Sequence, residues 1–374
     1  MPGPGDLDRG GLTSPDPTRP SSRALARRRW RRTASIIVAV VLVAVAAIGA
    51  WFALGSGGGG HGAEAGPASP TASTTTSLPI APVVTATPSS APPPTASTSA
   101  GPPVDRTYGV TTAERTFVDT SRATSPNGSF GGAPSRTLVT SFWLPSEPGT
   151  YPLVVFAHGY AVTPDFYVPM LERWAAAGYV VAAPTYPILS GIPGGASHTD
   201  YEETFADSSF VITQVLGLDR GDVVGAKVDR DRIAVAGHSD GEVVAFGLGF
   251  LACCRDPRVD AVIAMAGNLE NANNDHVRDT GTPILHVMET NDEFDPYGPS
   301  IAWSRANLTA PRFLLTLQGA SHVPPYTIAG DPHFELLARV VIDFLDGTVK
   351  EHAERLDRIG QTAAASSGLA TLER

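Results

Sequence analysis

The run Ile233-Ala234-Val235-Ala236-Gly237-His238-Ser239-Asp240-Gly241 constrains this chain more than any other stretch. Ile233 to Ala236 is short and apolar enough for a buried strand, and Glu242 to Leu251 is proline-free and mostly apolar, as a packed helix would be. Ser239 therefore falls on a strand-to-helix turn of the nucleophile-elbow type. Gly237 and Gly241 lack a Cβ, so the backbone can turn tightly and leave the serine oxygen exposed above a sheet.

The rest of the chain supplies that sheet. Arg115 to Asp119 and Thr137 to Trp143 have strand-like content, with Pro126-Asn127-Gly128 and Gly131-Gly132 marking turns between them. An antiparallel opening pair is expected. Leu153 to Ala157 reads as a strand covered on both faces. It is followed by a helix over Phe166 to Ala177, a stop at Gly178 and a strand over Tyr179 to Ala183. A helix over Tyr201 to Leu218 leads to the elbow strand and its helix. Strands follow over Ala261 to Ala266, Ile284 to Met288 and Phe313 to Leu317, and Phe334 to Leu345 closes the series as a helix. This alternation predicts an α/β fold, a mostly parallel sheet with helices on both faces. In such a sheet, functional groups gather beyond the carboxyl ends of the strands.

Two strand ends complete a candidate constellation. Phe313 to Leu317 runs into Gln318-Gly319-Ala320-Ser321-His322, which makes His322 the candidate general base. Ile284 to Met288 runs into Glu289-Thr290-Asn291-Asp292-Glu293-Phe294-Asp295, one of whose carboxylates should orient the imidazole. Asp292 is the choice, with Asp295 and Glu289 as alternatives. His158 and His238 also stand at strand ends, where the neighbouring backbone amides are expected to matter more than the rings. The order Ser239, Asp292, His322 is the serine, acid, histidine order of one large class of hydrolases.

The N-terminal region is of another kind. Residues 1–34 carry the cluster Arg23, Arg27, Arg28, Arg29, Arg31 and Arg32. Ser35 to Leu54 is uncharged and apolar, about twenty residues, long enough to cross a hydrocarbon core of about 30 Å as a helix. Trp51 and Phe52 lie at its far end, where interfacial aromatics belong. A cleaved signal peptide is the competing reading, but its apolar core is about 7–15 residues and ends in a small-residue cut site. An uncleaved signal-anchor is therefore expected, with the arginines inside and the remainder on the extracytoplasmic side of the cell membrane. Residues 55–107, rich in Gly, Pro, Ser and Thr, read as a linker. A domain over residues 108–349 and a C-terminal tail over 350–374 complete the organisation.

Composition excludes several functions. The net charge is −10 despite the basic N-terminus, so an acidic outer domain is a poor partner for nucleic acid. No G-x-x-x-x-G-K loop, H-E-x-x-H or dinucleotide fingerprint is present, and neither a cofactor nor a metal is expected. Cys253 and Cys254 are adjacent, which offers no disulfide framework. They read as two small buried residues near the end of the elbow helix, with a vicinal pair as the alternative.

The motifs Val155-Phe156-Ala157-His158-Gly159-Tyr160, Gly237-His238-Ser239-Asp240-Gly241 and Leu317-Gln318-Gly319-Ala320-Ser321-His322 carry a resemblance. The domain resembles the α/β-hydrolases, in particular the dienelactone hydrolase, platelet-activating-factor acetylhydrolase and cutinase-like polyester hydrolase group. The resemblance implies a serine esterase with Ser239 as nucleophile, His322 as base and Asp292 as acid. It places the backbone amides of Tyr160 and Asp240 in an oxyanion hole, and implies a small-molecule or lipid-like ester substrate. The apolar Ile188, Leu189, Ile192 and Pro193 of the loop Tyr186 to His198 are expected to line an acyl pocket. Glu242 and Glu289 depart from the family pattern. An exopeptidase on the same fold and a catalytically vestigial surface module are the other classes such a chain allows.

Overall fold

Strand β3, Tyr151–Ala157, is buried at every position. Its Leu153 and Val155 pack into one apolar cluster and its Val154 and Phe156 into another, so each face of the sheet has its own core. That is why the sequence shows a continuous apolar run here and no polar alternation. The computed structural model describes residues 106–269, 277–278, 280–309 and 311–374. The chain divides into two units, Met1–Ser97 and Thr98–Arg374, and every described residue belongs to the second. The basic segment, the Ser35 to Leu54 span and the linker up to residue 105 lie outside the described residues. Among those described, no helix is long and apolar enough to cross a membrane.

The strands β1 (Val110–Asp119), β2 (Arg136–Pro145), β3, β4 (Val180–Pro184), β5 (Val228–His238), β6 (Ala261–Met265), β7 (Ile284–Glu289), β8 (Arg312–Leu317) and β9 (Ala370–Glu373) form one sheet. Its order is β1-β2-β4-β3-β5-β6-β7-β8-β9. The pairs β1/β2 and β2/β4 are antiparallel, and β4, β3, β5, β6, β7 and β8 run parallel. The expected opening hairpin and parallel centre are both present. The elbow strand is longer than Ile233 to Ala236. It reaches back to Val228, and a register shift between Pro152 and Leu153 leaves the charged Arg230 to Arg232 without partners on β3.

Helices α1 (Val168–Ala176), α2 (Glu203–Gly217), α3 (Asp240–Phe250), α4 (Tyr297–Asn307), the single turn α5 (Pro324–Thr327), α6 (Phe334–Thr348) and α7 (Glu354–Ala364) surround the sheet. One core takes Val211 and Ile212 of α2, Phe246 of α3 and Trp303 of α4. The other takes Trp174 of α1, Phe344 of α6 and Ile359 of α7.

Residues 350–374 are not a tail. They form α7, whose Ile359 and Ala363 are buried, and β9, which pairs antiparallel with β8 from Leu314↔Glu373 to Leu317↔Ala370. The narrow apolar stripe of α7 and the shortness of β9 hide this in the sequence, where no long apolar run marks either. Helix α4 was also unforeseen, because Gly298 and Pro299 sit in its first turn, where proline is tolerated.

Candidate active site

The elbow takes shape through close backbone approach. A Cβ on Gly237 would strike the carbonyl oxygen of Gly241, and one on Gly241 would strike that of Ala157. Ser239, between them, has φ 58° and ψ −127°, a conformation non-glycine residues avoid and which costs about 1–3 kcal/mol. Its amide donates to the Met265 carbonyl at 2.9 Å, which anchors the turn on the end of β6.

Three strand ends meet at this serine. Ser239 Oγ lies 2.9 Å from His322 Nε2, and His322 Nδ1 lies 2.7 Å from Asp292 Oδ2. The second Asp292 oxygen accepts the amides of Phe294 at 2.8 Å and Asp295 at 2.9 Å, so its loop wraps the carboxylate and fixes it beside the ring. His322 is 4% exposed, and the ring of Phe294 meets it edge-on at 5.0 Å. Burial works to lower the His322 pKa. The hydrogen bond and charge of Asp292, with the charges of Asp295 and Glu293, outweigh it and raise the value above that of a free imidazole.

The alternative acids are placed elsewhere. Asp295 makes no hydrogen bond to His322, and its pKa is pushed up to about 7 by burial and by the neighbouring carboxylates, against the pull of His322. Glu289 is fully buried and accepts the hydroxyl of Tyr326. Burial first, and then the charges of Asp292 and Glu242, raise its pKa well above the ordinary carboxylate value, against the pull of the Tyr326 hydrogen bond. Glu242 lies in the first turn of α3, as the sequence implies, but its side chain is buried. It accepts the Gly267 amide at 2.6 Å, which ties the segment after β6 to the elbow helix, and stands 3.3 Å from His286 Nε2 on β7.

Tyr160 follows β3 and Asp240 opens α3. Among the described residues, no acceptor meets either backbone amide. The peptide that carries the Tyr160 amide is held from its other side, because His158 Nδ1 donates to the Gly159 carbonyl at 2.8 Å while His158 Nε2 accepts the Tyr186 amide at 3.0 Å. In a trans peptide the carbonyl and amide point in opposite directions, so fixing one aims the other. Burial lowers the His158 pKa to about 4 and keeps that ring neutral.

Beside these amides, the rings of His158 and His238 have partners of their own: both are buried and hydrogen-bonded on both nitrogens. Tyr167 and Tyr326, which touch His238, were missed. Only the proximity of their elements to the strand ends could have signalled them.

The loop from Tyr186 to His198 lies beside Tyr160, whose hydroxyl donates to the Ala196 carbonyl at 2.9 Å. Ile188 and Leu189 are buried, and only Ile192, at 63% exposed, stands out. The Tyr160 ring stacks on His198 at 4.2 Å, and His198 Nε2 meets the Asp240 carboxylate at 2.6 Å. A cavity of about 490 Å³ lined by Tyr108, Arg173, Arg339, Asp343 and Lys350 includes none of the residues around Ser239. The cysteines differ from expectation as well. Cys253 is exposed, Cys254 half-buried, and the two form a vicinal disulfide in the turn after α3.

A family model described as Chlorophyllase matches residues 109–269, which contain β1 to β6 and the elbow. The match and the sheet together make the domain similar to the α/β-hydrolase esterases. Curated relatives include "Chlorophyllase type 0" of Chenopodium album, 30% identical over 118 residues, 31% of this chain and 33% of the relative. "Chlorophyllase-1, chloroplastic" of Citrus unshiu is 28% identical over 142 residues, 38% of this chain and 39% of the relative. The matches thus span well under half of each relative's length. A solved ferulic acid esterase from Streptomyces cinnamoneus is similar over 67% of this chain and 93% of its own, with a TM-score of 0.49 and 21% identity.

Proposed function

We propose that this hydrolase domain cleaves carboxylic esters through an acyl-enzyme formed on Ser239. The observation that carries the reading is the continuous contact from Ser239 Oγ through the His322 ring to Asp292. Asp292 accepts Nδ1–H and so holds the tautomer in which Nε2 is bare and faces the serine. Nε2 takes the serine proton as Oγ attacks the ester carbonyl. The same proton passes to the alcohol oxygen as the C–O bond breaks, and water repeats the sequence to release the acid and restore Ser239. The negative oxygen of each tetrahedral intermediate would be met by the amides of Tyr160 and Asp240, an interaction worth about 2.7–4 kcal/mol per donor. The match to the chlorophyllase family supports ester bonds, rather than peptide bonds, as the target.

The substrate is a small-molecule or lipid-like ester. The domain is carried on the extracytoplasmic side of the cell membrane by Ser35 to Leu54, through the linker that follows; the uncharged length of that segment and the arginines before it support this reading. Hydrolysis of short p-nitrophenyl esters, lost in Ser239→Ala, tests the assignment. Equal rates in wild type and variant would reject it.

A further inference from the structure

The ring of His238, the residue that precedes the nucleophile, touches two other parts of the site. Its Nε2 lies 2.8 Å from the carbonyl oxygen of His322. Its Nδ1 lies 2.9 Å from the hydroxyl of Tyr167, and that hydroxyl takes the amide of Gly159 at 3.2 Å. We propose that His238 is a positioning residue, whose singly protonated ring ties the base loop at His322 to the oxyanion loop at Gly159 and Tyr160. The inference rests on the esterase reading above, and it concerns how that site is held together.

The protonation of the whole chain follows from its two ends. A backbone carbonyl only accepts, so His238 Nε2 must carry the hydrogen. A backbone amide only donates, so the oxygen of Tyr167 accepts from Gly159 and its own proton is free to go to His238. Nδ1 is then bare and accepts it. The Nδ1–H tautomer would turn Nε2's lone pair on the His322 carbonyl. A doubly protonated ring would donate from Nδ1 to the Tyr167 oxygen, and the Tyr167 proton would then have no acceptor among these groups. One arrangement alone satisfies all four groups: Gly159 N–H to Tyr167, Tyr167 O–H to His238 Nδ1, and His238 Nε2–H to His322 C=O. Burial agrees, since it holds His238 neutral and Tyr167 protonated.

A third element locks the ring's face. The ring of Tyr326, on α5 just after the base loop, lies 4.3 Å from that of His238. The Tyr326 hydroxyl donates to Glu289, which ends β7 immediately before the Asp292 loop. His238 is joined covalently to Ser239, so nucleophile, base and oxyanion amide are all referenced to one imidazole. Sites of this kind tolerate about 0.5 Å of play, and a displacement of about 1 Å costs about 10²-fold in rate.

Two variants of the full-length protein separate this role from simple packing. His238→Phe keeps a ring against Tyr167 and Tyr326 but removes both hydrogen bonds, and Tyr167→Phe removes only the hydroxyl. Each should lower kcat on a p-nitrophenyl ester by about 10- to 10²-fold, with KM within about threefold, when rates are divided by the folded fraction. Affinity for an alkyl boronic acid, which forms a tetrahedral adduct on the serine, should fall with kcat and not with KM. The double variant should be no slower than the slower single one, because both cut the same chain. A kcat within twofold of wild type in His238→Phe, or losses that multiply in the double variant, would overturn the inference.

A histidine-¹⁵N spectrum reads the same chain without using turnover. The resonances missing from His238→Phe should report an Nε2–H tautomer that does not titrate between about pH 5 and pH 9. An Nδ1–H tautomer, or titration in that range, would sink the idea even in an active enzyme. If wild type and Ser239→Ala were equally inert toward esters, the esterase reading would fail on its own, and the nitrogen spectrum would still decide whether His238 links the two loops.

Discussion

Asp292 binds His322 with one carboxylate oxygen, at 2.7 Å, and the backbone of its own loop with the other, at 2.8 and 2.9 Å. The carboxylate is thus anchored independently of the ring it serves. Asp292→Asn should leave the fold standing and lower kcat by orders of magnitude, because an amide presenting N–H to Nδ1 favours the wrong tautomer. The corresponding effect in a trypsin-type protease is about 10⁴-fold. Steady-state rates beside a thermal melt check this, and near-normal turnover would transfer the role to another acid.

The pH profile has a defined sign. His322 must be neutral to accept the serine proton, and its pKa is raised above the ordinary imidazole value of about 6.5. Activity should therefore fall as pH drops through a midpoint above that value. The Asp295 carboxyl titrates close by, about 7, and its charge is one of those that raise His322. Asp295→Asn should shift the acid limb of kcat/KM to lower pH. An unchanged or upward shift would show that Asp295 does not act on the base.

Stability should depend on a group far from the chemistry in sequence. Arg136, at the start of β2, is fully buried and pairs with Asp200 at 2.7 Å and with Asp207 on α2. Arg136→Met would leave two buried carboxylates without that cation and should cost about 3–5 kcal/mol. Urea unfolding of the variant measures the loss. A change below about 1 kcal/mol would mean that Arg122, which also meets Asp207 at 2.8 Å, compensates.

Attachment is tested in cells. Protease added to intact cells should release the catalytic domain, and the untreated protein should sediment with membranes. A wholly soluble product beginning after Leu54 would favour a cleaved leader.

The sequence alone determined the parallel centre of the sheet and the positions of Ser239, Asp292 and His322 at strand ends. Buried strands, glycine turns and helix stops are written locally, in runs of about four to eight residues. It favoured Asp292 but left Asp295 and Glu289 open, since all three share one loop and only the path of the chain after β7 decides which carboxylate meets the imidazole. The roles of His158, His238, Tyr167 and Tyr326 were equally out of reach, for each depends on partners from distant segments, as His238 does on His322. Residues 350–374 looked like a tail because β9 has no strand character until β8 offers it an edge. Tertiary structure made these choices because a polar side chain's partner, once buried, is set by which strand ends and loops the folded sheet brings together.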